Sequence, residues 1–299
     1  MKRKYALVGP LCGALMVGAI SGTPVAASKP GDRPEQRGTA ASADATKRAP
    51  HCWGSVRWSA NNKLNVRYWK VSPKNRWRVD DHNTSRKKLG FVPRAYVYIG
   101  AAGGPEVSLT TQYAISRRRA VVDVSTKTYT NSDVIHFTKK RVGRLKGRAR
   151  PMSGIFDLYL VGKGGRVTYA RDMNKPNKRV QVRGLRLRNY RFGAVASVST
   201  KKFGSVKVMY AVRGSRLVRV VLKGRKVVRA PRVVSRTWRG AKGLTVRSCV
   251  NSSKLSVVRV GKNRRARGFL QRRVAAKRPA KLGKGVNLVG RYPGRGFGS

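Results

Sequence analysis

This chain of 299 residues carries 69 Lys and Arg against 10 Asp and Glu, a formal charge of +59. Such an excess excludes an electrostatically indifferent surface. The protein repels itself and attracts nucleic acid, anionic envelope polymer, anionic lipid or acidic polysaccharide without needing a shaped site.

The N-terminus reads as a secretion signal. Lys2, Arg3 and Lys4 precede an apolar, Gly-rich stretch from Ala6 to Ile20, and Val25-Ala26-Ala27 places small residues before a cleavage point after Ala27. An uncleaved anchor is the alternative, although the apolar run is short for a membrane span. Cys12 follows Gly9-Pro10-Leu11, a poor context for lipid attachment. Removing residues 1–27 takes away three basic and no acidic residues, leaving 66 − 10 = +56, so the charge belongs to the mature chain. No later segment is long and apolar enough to span a membrane, and a soluble, extracellular monomer is expected. Residues 28–50 (SKPGDRPEQRGTAASADATKRAP) have no apolar period and read as a disordered leader. Residues 51–299 then form one repetitive domain.

Cys52 and Cys249 remain after the signal. In an oxidising compartment they predict one disulfide, worth about 4–5 kcal/mol through unfolded-state entropy, the alternative being two buried thiols. Two distant cysteines and three scattered histidines do not make a zinc site, and neither metal nor cofactor is expected.

From residue 52 the dominant period is two. Val206, Val208, Tyr210 and Val212 alternate with Lys207, Met209, Ala211 and Arg213, and Leu64, Val66 and Tyr68 alternate with Asn65, Arg67 and Trp69. This predicts strands with one buried and one basic, solvated face. Five hairpins recur, at 56–68, 109–124, 156–171, 206–222 and 244–260. Their basic turn residues Lys63, Arg119, Arg166, Arg216 and Lys254 are spaced 56, 47, 50 and 38 apart, and a partial sixth unit is suggested at 285–296. Repeats of about 40–50 residues of pure strand match four-stranded propeller blades. The fold class is therefore all-β, a single β-propeller of about five blades, with a β-sandwich as the alternative.

Within these repeats, GIFDLYLVGKGGRVTYARD (154–172) resembles the D-L-Y-x-V-x-x-x-G-R-L-x-x-Y unit of tachylectin-like and related secreted bacterial propellers. FGSVKVMYAVRGSRLVRV (203–220) is similar, with basic residues at the acidic positions. The resemblance spans about 105–260 and implies a ring of blades with binding sites in loops. No sugar-contacting residue of that family has a matching position here. The calcium-loop carboxylates of integrin-like blades are absent too. In a closed ring the first and fifth repeats are neighbours, so a Cys52–Cys249 bond would fasten the closure.

Binding is better supported than catalysis. Trp53, Trp58, Trp69 and Trp77 crowd the start of the fold, three of them within two residues of an Arg, a pairing suited to stacking on sugars or bases if the rings are exposed. As core residues they would instead fill the first sheet. The tract from Lys262 through Arg264, Arg265 and Arg267 to Lys284 reads as a polyanion contact. The turn residues would make a circular positive rim if the hairpin tips share one side. No catalytic residue is assigned. Asp80-Asp81-His82 is the most reactive-looking cluster, readable as a hydrolase base with help from Asp123, Asp133 or Asp157, or more plainly as an Asx turn. The expected function is a secreted cationic protein holding anionic or glycan surfaces of the cell envelope. A glycosidase-like hydrolase and an extracellular nucleic-acid-binding or antimicrobial protein are the alternatives.

Overall fold

The computed structural model describes residues 52–298 except 73, 104–105, 130–131 and 250–253, and the side chains of Asp80, Asp81 and Val289 lie outside the description. The expected signal and leader lie outside the described residues. Strands β1 (Cys52–Ala60), β2 (Lys63–Val71) and β3 (Trp77–Lys88) form an antiparallel meander. Asn61 and Asn62 join the first two, both with φ in the left-handed region at 50° and 59°, as a tight two-residue hairpin requires.

A second meander follows: β4 (Pro93–Gly103), β5 (Val107–Ser116), β6 (Ala120–Tyr129) and β7 (Val134–Arg144). The third sheet consists of β8 (Arg150–Pro151), β10 (Leu158–Val161), β11 (Arg166–Ala170) and β12 (Val180–Arg186), while the short β9 (Gly154–Ile155) between its first two strands pairs in parallel with β4 of the second sheet. The fourth comprises β13 (Tyr190–Thr200), β14 (Gly204–Arg213), β15 (Arg216–Lys223) and β16 (Lys226–Ser235). The fifth comprises β17 (Gly243–Ser248), β18 (Leu255–Val260), β19 (Arg265–Gln271) and β20 (Val286–Arg291). The chain then returns: β21 (Arg295–Gly298) pairs antiparallel with β1 and becomes the inner strand of the first sheet.

Packing shows how these sheets are arranged. A sandwich would hold one inter-sheet core, whereas the described residues hold five apolar clusters, each between consecutive sheets. Leu64, Tyr96 and Val124 join the first sheet to the second, and Val97, Leu145 and Leu160 join the second to the third. Tyr159, Val167 and Met209 join the third to the fourth, and Tyr210, Trp238 and Val257 the fourth to the fifth. Val56, Trp58, Val258 and Phe297 join the fifth back to the first. The ring is closed: the fold is a β-propeller, and the sheets are its blades.

Three expectations change. The strands are not buried on one face only. Inner and middle strands have blades on both sides, so Val208 and Tyr210 fill one cluster while Met209 fills the next. Exposed basic residues occur instead on outer strands, turns and strand ends, as with Lys226 and Arg232 of β16. The suggested sixth unit is divided, with Val286–Arg291 as the outer strand of the fifth blade and Arg295–Gly298 as the inner strand of the first. The fifth hairpin at 244–260 pairs the first and second strands of its blade, whereas the other four pair the second and third. Among the described residues no helix is long and apolar enough to cross a membrane.

Candidate anion-binding surfaces

Parallel contacts between blades decide which turns share a face. β4 runs parallel to β9, Ser153 bridges Ala194 in parallel, and the outer strands β3 and β7 pair in parallel at Thr84↔Val134. Arg191, at the start of β13, reaches Ala241 O just before β17 at 3.2 Å, so these inner strands also start together. Turns between the second and third strands therefore lie on one face, with the starts of the inner strands.

Lys63, Arg119, Arg166 and Arg216 occupy that face. Arg166 and Arg216 are exposed, Lys63 is half-buried, and half-buried Arg119 donates from Nη1 to Gly147 O at 2.5 Å. Lys254 is a correction. It precedes β18 in a turn between first and second strands and so lies on the opposite face. The residue equivalent to the other tips is Arg264, at φ 61°, which restores the spacing, 264 − 216 = 48.

The basic tract also divides. Lys262, Arg264, Arg265 and Arg267 form or adjoin the β18–β19 turn on the tip face, whereas Arg272, Arg273, Lys277, Arg278, Lys281 and Lys284 lie between β19 and β20 on the other. That second stretch is not a simple solvated loop. Fully buried Arg219 donates to Ala276 O at 2.9 Å and Arg229 Nε to Ala275 O at 3.0 Å, pinning it to the fourth blade. Burial pushes the Arg219 guanidinium down to about 10.

Two recesses open on the tip face. One, of about 240 Å³, marks the axial mouth, where Pro93, Ser153, Gly193, Gly243 and Phe297 of the inner strands meet. Exposed Arg94, Arg117 and Lys242 also line it. The other is a groove of about 790 Å³ on the fifth blade, lined by Arg259, Lys262, Arg265 and Arg267 with Asn263 and Asn287. Arg267 Nε donates to Asn287 Oδ1 at 3.0 Å. Burial first, and then the neighbouring Arg267 charge, lowers the Arg259 pKa. Guanidiniums crowded with no carboxylate in the lining favour any polyanion that neutralises them.

The tryptophans take different roles. Trp58 is buried, stacked on His82 with ring centroids 5.2 Å apart and edge-on to Tyr292 at 5.0 Å. Trp69 is also buried and packs against half-buried Trp77 at 5.3 Å, while Trp77 covers Gly268. These rings fill the seam between the first and fifth blades and are not a stacking platform. Trp53 is 58% exposed.

The hydrolase reading finds little assembly. The Asp80 and Asp81 side chains lie outside the described residues. His82 Nε2 meets Asn65 Oδ1 at 3.1 Å, and its pKa is lowered by burial and by Arg67, against a smaller opposing effect of Asp133. Asp157 pairs with Lys207 of the fourth blade at 3.3 Å, and Asp123 sits on β6 with a buried, unpartnered Oδ1. Of the three proposed helpers only Asp133 comes near His82. Among the described residues no three His, Cys, Asp or Glu side chains cluster as metal ligands.

Neither a family model nor a curated protein matches the chain. AofleA from Arthrobotrys oligospora aligns at 8% identity over 81% of this chain and 90% of its own, with TM-score 0.41. The SapL1 lectin in complex with alpha methyl fucoside aligns at 10% identity over 81% and 83%, with TM-score 0.36. A chain of a nidogen/laminin complex aligns at 14% identity over 72% and 73%, with TM-score 0.36. The propeller assignment rests on the closed strand order and the five inter-blade cores.

Proposed function

We propose that this is a secreted, non-catalytic, monomeric propeller that holds anionic polymers of the cell envelope or acidic polysaccharide on its tip face. One observation carries the reading: turn tips, axial mouth and fifth-blade groove place their cations on one face. In a chain with 69 Lys and Arg and 10 Asp and Glu, most cations have no carboxylate of the chain to neutralise them. The secretion signal expected from residues 1–27 would bring the protein to such polymers outside the cell, and the resemblance of residues 154–172 to tachylectin-like repeats supports a glycan context.

Charge-driven binding of this kind is retentive and broad. A surface neutralising six or more phosphates loses orders of magnitude in affinity as salt rises. The test is retention of the protein on teichoic acid, an acidic polysaccharide, a neutral glycan and duplex DNA across a salt gradient. Retention on the polyanions, lost together as salt rises, is the expected result. Retention on the neutral glycan alone would overturn it.

A further inference from the structure

At the other end of the central axis lies a cavity of about 430 Å³ with a different chemistry. It is lined by Arg57 of β1, Arg247 of β17, Tyr68 of β2, Tyr98 of β4 and Thr110 of β5, with exposed Trp53 at its edge. Arg57 is 4% exposed. Its Nη1 donates to Ser55 Oγ at 2.5 Å, and its Nε has no partner. Arg247 also has a buried, unpartnered Nε, and its guanidinium sits 4.7 Å from the Tyr98 ring centroid. No carboxylate lines the cavity.

This is an expensive arrangement. A buried guanidinium is tolerated where a counter-charge and hydrogen bonds replace its water, and two in one cavity repel each other. Both pKa values reflect the strain: burial lowers that of Arg57, while burial and the Arg57 charge hold Arg247 down to about 10. Charge bias alone does not account for two guanidiniums meeting in one cavity with no carboxylate in its lining. The missing partner is an oxyanion, which a guanidinium fork grips through two parallel hydrogen bonds.

The rest of the cavity describes what carries that oxyanion. Its volume falls within the usual range for small organic ligands, about 300–1,000 Å³. Trp53, Tyr68 and Tyr98 line it with aromatic rings that suit a weakly apolar body, and Ser55 and Thr110 bring hydroxyl-bearing side chains to it. We propose that this cavity binds a single sugar unit bearing an oxyanion, with Arg57 and Arg247 on the charged group and Trp53 against the ring. The site is shaped and lies opposite the cationic tip face, so it stands or falls independently of polymer retention there.

The experiment is calorimetric titration of the protein at high salt, where diffuse charge attraction is screened. The probes are glucuronate, glucose 6-phosphate, glucose and inorganic phosphate. One-to-one binding of glucuronate or glucose 6-phosphate is expected, at least about tenfold tighter than glucose or phosphate, and the preferred one identifies a carboxylate or a phosphate ligand. Arg247→Gln is expected to weaken that binding at least about tenfold, as loss of a charged hydrogen-bond partner does. Trp53→Ala, at an exposed ring that folding does not need, should weaken the sugar anion but not inorganic phosphate. Arg247→Lys keeps the charge and removes the fork, so it guards against a folding artefact and should also lose affinity. The proposal is overturned if no sugar anion binds, if glucose binds equally well, if phosphate alone binds as tightly, or if Arg247→Gln changes nothing. Retention of Arg247→Gln on polyanion columns should be unchanged, which separates failure here from failure of the tip-face reading.

Discussion

Cys52, at the first residue of β1, is bonded to Cys249, just beyond β17, so the disulfide ties the first blade to the fifth across the seam of the ring. The same seam is closed a second time by β21, which lies on β1 and presses Phe297 against Gly243 of β17. Both devices join the first and last blades. Their separation of 197 residues makes the covalent one costly to lose.

Replacing both cysteines by serine should therefore lower stability by up to about 5 kcal/mol on the chain-entropy account. For a domain of this size that is a fall in Tm of about 10–20 °C. Scanning calorimetry of the double variant beside the parent measures it. A fall below about 2 °C would show that β21 alone maintains the closure.

Phe297→Ala tests the other clasp. A buried Phe truncated in a packed core costs about 3–5 kcal/mol. Gly243 sits under the ring, where a Cβ would come within 2.3 Å of the Phe297 Cβ, so the site has little freedom to refill. Denaturant unfolding should show a lower midpoint, and a change under about 1 kcal/mol would mean that the C-terminal strand is not part of the stable ring.

How much of this was legible turns on particular strands. Four of the five recurring hairpins show the middle strands of their blades, which are apolar and in all but the third blade long, so the period survives in the sequence. The fifth slips by one strand because Gly243–Ser248 and Leu255–Val260 alternate as well as the strands that follow. Arg295–Gly298 is only four residues long, half of them glycine, and no local pattern announces that it returns to the first blade. Arg57 sits between Val56 and Trp58 and reads as the solvated position of an alternating strand. Burial by a blade on each side is a tertiary fact, and it turns that residue into a site.

Because Arg57 is buried without a counter-charge, Arg57→Met should leave the ligand-free protein equally stable or more so, by up to about 4 kcal/mol. The same variant should lose the sugar-anion binding proposed above. Paired measurement of Tm and calorimetric affinity checks this. A large loss of stability would mean that Arg57 is structural.

His82 gives a pH dependence with a definite sign. Its folded pKa lies below the ordinary 6.5, burial being the main cause and Arg67 the second, so the unfolded chain binds the proton more readily. The stabilising contribution is complete above about pH 6.5 and is lost as pH falls from there to the lowered folded value. His82→Gln, which can still meet Asn65, should flatten that segment of a stability-against-pH curve. An unchanged curve would assign the acid sensitivity to another group.

The tip-face reading makes a prediction about slopes, which absolute affinities would obscure. Each cation–phosphate contact contributes about 0.9 to the steepness of log affinity against log salt on a duplex, and less on a looser polymer. Arg166, Arg216 and Arg265 are exposed on the tip face, whereas Lys201, Lys202 and Lys277 are exposed on the opposite one. Changing the first three to Gln should reduce the slope on teichoic acid or DNA by about 2–3, and changing the second three should leave it nearly unmoved. Both sets remove the same net charge, so equal losses would show that the whole cationic surface attracts polyanions and that the face carries no privilege. A larger loss from the first set would fix the polymer to the tips, leaving buried Arg57 and half-buried Arg247 at the far end of the axis free for a smaller ligand.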